Sequence, residues 1–276
     1  MFGVTKQRSS SQVACWASLT ERLCVVKPRS GRTVPLGETR GMVDAQACRA
    51  LGDAGVLVEL GSGIDLALAR RARLVAGALR DALGVAAHDV VPAYGSVLVR
   101  FDPLTTSART RVALVEAALK GPVAVATGLP SDDQPSRTIT VGVCFGGPYG
   151  LDFEQTAHDL GMRERRMREL ICQPEYRVCF LGFLAGFPYL LGLADAFANV
   201  QRLLAPRPRV PMGSVAIASG QCGIYPRSAS GGWRLLGRTA ATLFDPMRLP
   251  PALFRPGDAV RFEPVDRLVD ANATIA

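Results

Sequence analysis

Lysine is nearly absent from this sequence. Lys6, Lys27 and Lys120 are the only three in a 276-residue chain that otherwise takes its positive charge from arginine. A phosphate-loop lysine, a Schiff-base lysine or a Ser-Lys dyad therefore has no residue to draw on beyond position 120. Histidine is as scarce: His88 stands at a strand entry, and His158 near the end of an expected helix, where a cation complements the dipole. Neither has a sequence-near Ser and Asp in a triad pattern. The seven cysteines (Cys15, Cys24, Cys48, Cys144, Cys172, Cys179, Cys222) contain no CxxC and no paired metal-ligand spacing. That argues against a disulfide framework and against a metal site, and it suits a reducing cytoplasm.

Long apolar runs are missing too. The uncharged stretch from Val178 to Ala194 falls short of the roughly 20 residues a bilayer demands, and Gly182, Gly186, Pro188 and Gly192 break it. It reads as a buried strand entering a tight turn, not as a membrane span. No cationic stripe with interleaved aromatics is present, so nucleic acid is not expected as a partner. Of the formal charge of +8, Met1 to Ala45 supplies seven basic against three acidic residues, a net +4. Residues 1–45 read as a weakly ordered basic extension without a secretory signal.

What remains is the composition of a globular chain, 48% hydrophobic and 20% charged, with two domains expected. In the first, residues 46–133, Val56 to Leu60 reads as a strand. Ile64, Leu68, Ala72, Val75, Leu79 and Ala82 then recur at helical spacing until Gly84. "VVPAYGSVLVRF" gives one or two strands, Ser107 caps a helix that buries Val112, Val115 and Leu119, and "VAVAT" is a further strand. This order predicts a small ferredoxin-like α+β unit. "LPSDDQPSR", Leu129 to Arg137, reads as the linker. In the second domain, residues 134–266, "TITVGVCF" is a strand and two short helices follow. Beyond Glu175 short strands alternate with Gly and Pro turns, the pattern of a closed or nearly closed β-barrel, with 267–276 as a tail.

The segment Leu203 to Thr239 concentrates Gly, Pro, Ser and Arg around Trp233. Glycine at this density marks tight turns or a backbone that something approaches closely. "SGGW" reads as a turn delivering Trp233 to one face, while Gln221, Tyr225 and Ser228 place hydrogen-bonding tips beside apolar bodies.

Seven stretches appear in a fixed order: "VPAYGSVLVRFDP" (Val91 to Pro103), "FGGPYGLDFE" (Phe145 to Glu154), "GFLAGFPYL" (Gly182 to Leu190), "PRPRVPMGSVAIA" (Pro206 to Ala218), "QCGIYP" (Gln221 to Pro226), "GGWRLLGRT" (Gly231 to Thr239) and "PGDAVRF" (Pro256 to Phe262). Together they resemble the allophanate hydrolase subunit 1 family, which includes the B component of the prokaryotic ATP-dependent 5-oxoprolinase and the sporulation-kinase inhibitor KipI.

The resemblance implies a cyclophilin-like β-barrel behind the α+β domain, and an ATP-dependent opening of 5-oxo-L-proline to L-glutamate. It implies ATP with Mg at the level of a complex and a small amide substrate. The implied partners are an allophanate hydrolase subunit 2-like protein (the 5-oxoprolinase C component) and a lactam-utilisation-like protein (the A component). Alternatives within the resemblance are a regulator of a sensor histidine kinase and a carboxyltransferase or allophanate hydrolase component that acts on a urea derivative.

The residues expected to carry the chemistry are Arg207 and Arg209 as anion partners and Ser214, Gln221 and Tyr225 as orienting groups. Gly186, Phe187, Pro188, Gly213, Ser230, Gly231, Gly232 and Trp233 are expected around the substrate. The chain departs from the family pattern at Cys172, Ala185, Met212, Cys222 and Ser230.

Overall fold

The computed structural model describes residues 47–121, 137–270 and 273–275. The basic extension, the strand at Val123 to Thr127 and most of the expected linker lie outside them. The N-terminal part is a four-stranded antiparallel sheet of β1 (Ala47–Leu51), β2 (Gly55–Glu59), β3 (Asp89–Pro92) and β4 (Ser96–Arg100) in the order β1-β2-β4-β3. Helices α1 (Leu66–Leu83) and α2 (Ala108–Lys120) pack on it. The sequence pattern did not foresee β1, which forms a hairpin with β2 and takes its outer edge.

Each helix begins where a side chain can satisfy the first free N–H groups. Asp65 accepts from the Leu68 N–H at 2.8 Å where the strand-to-helix turn "GSGIDL" enters α1. Ser107 accepts from the Thr110 N–H at 3.2 Å. Val115 and Leu119 are buried as their spacing predicts, but Val112 is only partly so. The adjacent Arg111 is 4% exposed, tied to the carbonyls of Thr106 and Asp53. Ser107→Ala is expected to lower stability by about 1 kcal/mol, measured by urea unfolding of the whole chain.

The second part is a closed ring of seven strands: β5 (Thr138–Phe145), β6 (Tyr176–Leu181), β7 (Pro188–Leu191), β9 (Ser214–Ala218), β10 (Gln221–Ile224), β12 (Arg234–Arg238) and β13 (Ala259–Pro264). Pairing of Gly237 and Arg238 in β12 with Phe145 and Cys144 in β5 closes it. Helices α3 (Phe153–Asp159) and α4 (Glu164–Cys172) contribute Phe153, Met167 and Ile171 to the barrel core. β8 (Arg207–Val210) and β11 (Ala229–Gly231) form a separate two-stranded flap.

The final residues, expected as a tail, form β14 (Ala273–Ile275) on β5. The physical reason lies in the closure: β12 pairs with only the last two residues of β5, leaving the Ile139 to Val141 edge for β14 to take. No described helix is long and apolar enough to cross a membrane.

The barrel is buried on two faces, which explains the long uncharged run. Leu190, Cys222 and Ile217 face the interior, while Tyr189, Leu191, Ala216 and Ala218 belong to a second buried cluster outside it. All of β7 is therefore buried. Part of that outer cover comes from the tip of the β3–β4 hairpin: Tyr94 meets Phe180 and Tyr189 edge-on at centroid distances of 4.9 and 6.1 Å.

Candidate functional site

The outer cluster contains a cleft. "GFLAGFPYL" leaves β6, turns at Leu184 to Gly186 and returns as β7, with the Phe187 N–H on the Leu184 carbonyl at 3.0 Å. Gly186 has φ +81, and a Cβ there would press on that of Phe244 at 2.8 Å, so this glycine serves the turn and its packing. The turn and the start of β7 place Phe183, Phe187 and Tyr189 on one side. Across from them stand Gln221, Tyr225, Gly231, Gly232 and Trp233, with Arg202 at the rim.

Phe187 is the hub. Its ring meets Phe183 at 5.5 Å, Tyr189 at 5.1 Å, Tyr225 at 5.3 Å and Trp233 at 5.8 Å, all close to edge-on. Gly223 makes room for it, since a Cβ there would lie 2.5 Å from the Phe187 ring. Gly231 likewise lies directly over the Tyr225 hydroxyl, where a Cβ would collide.

Gln221 is the polar group of this apolar wall. It is 5% exposed, and its carboxamide has no hydrogen-bond partner among the described residues. The carboxamide faces the cleft, where it can meet a ligand that supplies a donor and an acceptor. Arg202 carries positive charge to the mouth, its guanidinium 5.9 Å from the Trp233 ring centroid.

The free volume is about 40 Å³, room for a few water-sized groups and not for a ring. Phe183 closes the space from a backbone at φ +62, an uncommon setting for a bulky residue, held by its contacts with Phe187 and Tyr225.

Of the residues expected from sequence, Phe187, Gln221, Tyr225, Gly231, Gly232 and Trp233 come together here. Others do not. Arg207 is engaged on both prongs by Asp152, at 2.9 and 2.7 Å, and Asp152 also accepts from the Leu235 N–H at 2.7 Å. The expected anion role thus gives way to a structural one that pins the flap to the barrel. Arg209 is exposed and donates to Ser228 at 3.3 Å.

Ser214 is a buried β9 residue outside the cleft lining, its carbonyl accepting from the Tyr225 N–H. Gly213, at φ +80, is required because a Cβ would strike the Thr239 carbonyl, a crossing of two chain segments and not an approach to ligand. Pro188 is buried in β7, and Ser230 is exposed on β11; neither lines the cleft.

Sequence reasoning missed Phe183, Tyr189 and Arg202. Tyr189 was legible as the residue two beyond Phe187 on the same strand face. Arg202 lies in a loop without periodicity, and no local signal marks it.

Two departures from the family pattern, Cys172 and Cys222, belong to the barrel interior with Tyr176, whose hydroxyl donates to the Ile171 carbonyl at 2.8 Å. Burial pushes the Cys172 thiol up to about 11 and the Cys222 thiol higher still, so both are neutral near pH 7. Among the described residues no three His, Cys, Asp or Glu side chains gather into a metal-binding group.

Comparison with known proteins places these residues in a wider setting. The family described as "Carboxyltransferase domain, subdomain C and D" matches residues 46–254. The 5-oxoprolinase B component of Escherichia coli O157:H7 is 35% identical over 217 residues, covering 79% of this chain and 95% of its own length. The protein of the same name in Bacillus subtilis (strain 168) is 42% identical over 126 residues, 46% of this chain and 52% of its own length.

Among solved structures, TTHA0988 matches with a TM-score of 0.64 and 36% identity over 77% of this chain, which spans only 40% of that longer one. The Kluyveromyces lactis urea carboxylase matches with a TM-score of 0.66 at 20% identity over 83% of this chain and 23% of its own, a likeness of fold alone.

Proposed function

This chain belongs to the carboxyltransferase-domain family of subdomains C and D, and from that premise we propose that it is the B component of a 5-oxoprolinase complex, holding the lactam in its aromatic cleft. The reading is supported above all by the near-full-length match to the Escherichia coli protein, and the cleft gives it a chemical form.

A five-membered lactam presents one N–H donor and one carbonyl acceptor side by side, the complement of the carboxamide of Gln221. Phe187, Tyr189 and Trp233 clasp the ring and exclude water. Arg202 at the mouth pairs with the carboxylate. Entry requires the Phe183 turn to swing aside, since the free volume of about 40 Å³ cannot hold the ring as it stands.

A lactam carbonyl is a poor electrophile, and in an ATP-dependent opening the nucleotide supplies the phosphoryl group that activates it. This chain's residues then hold the amide fixed while water attacks and keep the developing charge facing donors. Partner proteins of the A and C types complete a site that this chain does not work alone.

The test is glutamate formation from 5-oxoproline and ATP by the three components, each omitted in turn. Turnover that vanishes without this chain supports the reading, and turnover that persists without it removes the reading. Within the active complex, Gln221→Leu is expected to lower kcat/KM by roughly 10- to 100-fold, because a buried amide partner is lost.

A further inference from the structure

We infer that a second cavity, between the first turns of α1 and the outer face of β6, binds a polyphosphate group. It measures about 310 Å³ and is lined by Arg70, Arg73, Arg177, Cys179 and Gly257, together with Leu66 at the helix start. That volume stands at the lower end of ordinary small-molecule sites, roughly 300–1,000 Å³.

The charge in it is positive. The Arg73 guanidinium has no hydrogen-bond or ion-pair partner among the described residues. Arg177 gives Nη2 to Glu175 at 3.2 Å, while its Nη1 is sealed from solvent and has no partner among the described residues. Arg73 is thus the open donor of the cavity, and Arg177 adds charge beside it.

Nearby carboxylates are already committed. Asp65 caps α1, and Glu175 is shared between Arg177 and Arg261, at 2.9 Å from the latter. The Cys179 thiol on the cavity wall is pushed up to about 12, chiefly by burial, and adds no negative charge near neutral pH.

Gly257 of the PGD turn has φ +96, the setting that favours glycine, and it packs beside Nη1 of Arg73. The open Arg73 fork, with Arg177 beside it and the first turn of α1 at the cavity edge, suits a ligand that carries more than one oxyanion. A chain of phosphates offers several oxyanions to planar, bidentate donors. Assigning those phosphates to ATP rests on the ATP-dependent reading above; affinity for polyphosphate does not.

The test is isothermal titration of the full chain with tripolyphosphate. Wild type binds, Arg73→Gln and Arg177→Gln each weaken binding by roughly 10- to 100-fold, as loss of a charge-assisted hydrogen bond predicts, and Arg73→Lys falls between. Gln221→Ala, outside this cavity's lining, binds as wild type does. Unchanged far-ultraviolet circular dichroism excludes misfolding as the cause.

Absence of tripolyphosphate binding, or binding that survives both glutamine substitutions, overturns the proposal. Displacement of tripolyphosphate by ATP, in a complex that fails to open 5-oxoproline, would leave this site standing and remove the lactam reading alone.

Discussion

Phe187→Ala lowers stability by about 3–5 kcal/mol, the range for deleting a large aromatic from a packed interior. The side chain is 1% exposed and touches four other rings, so its removal opens a void that Gly223, having no side chain, cannot fill. Phe187→Leu keeps most of the volume and loses much less. Urea unfolding of the three proteins measures both. A loss below about 1 kcal/mol for the alanine variant would mean that the cleft wall is loosely packed and the ring cluster is not its scaffold.

Asp152→Ala is the second large effect, expected near 3 kcal/mol. The carboxylate holds two groups at once, the Arg207 fork and the Leu235 N–H, and removing it strands both beneath the flap. Arg207→Ala leaves the buried carboxylate with one of its two partners. The double variant therefore loses less than the sum of the singles, because neither group is left facing an absent mate. Additive losses in the thermodynamic cycle would contradict the pairing.

That pair also shows where sequence reasoning reaches its limit. Both arginines of "PRPRVP" carry charge in a loop-rich segment, so an anion partner was the natural expectation. The answer depended on Asp152, 55 positions away and brought into contact only by the barrel's closure. Sequence periodicity captured α1, α2, β5 and β13 because each advertises its buried face locally. It missed β1, a five-residue strand half exposed, and β14, a three-residue strand whose pairing partner lies far back along the chain.

The cleft followed the same logic. The aromatic and glycine residues that gather there announced themselves by composition, whereas Ser214 and Gly213 carry local features that the fold spends on backbone crossings.

The central claim, that the aromatic cleft takes the lactam, is tested most directly by fluorine NMR. This chain is labelled with 5-fluorotryptophan, assembled with its unlabelled partner proteins and titrated with 5-oxoproline. The chain's two tryptophans are Trp16 and Trp233, and Trp16→Phe leaves the cleft residue as the single reporter. The expected result is a saturable shift of the Trp233 resonance that weakens by roughly 10-fold or more in Gln221→Leu. A complex that turns over 5-oxoproline while the Trp233 resonance stays fixed would place the lactam elsewhere.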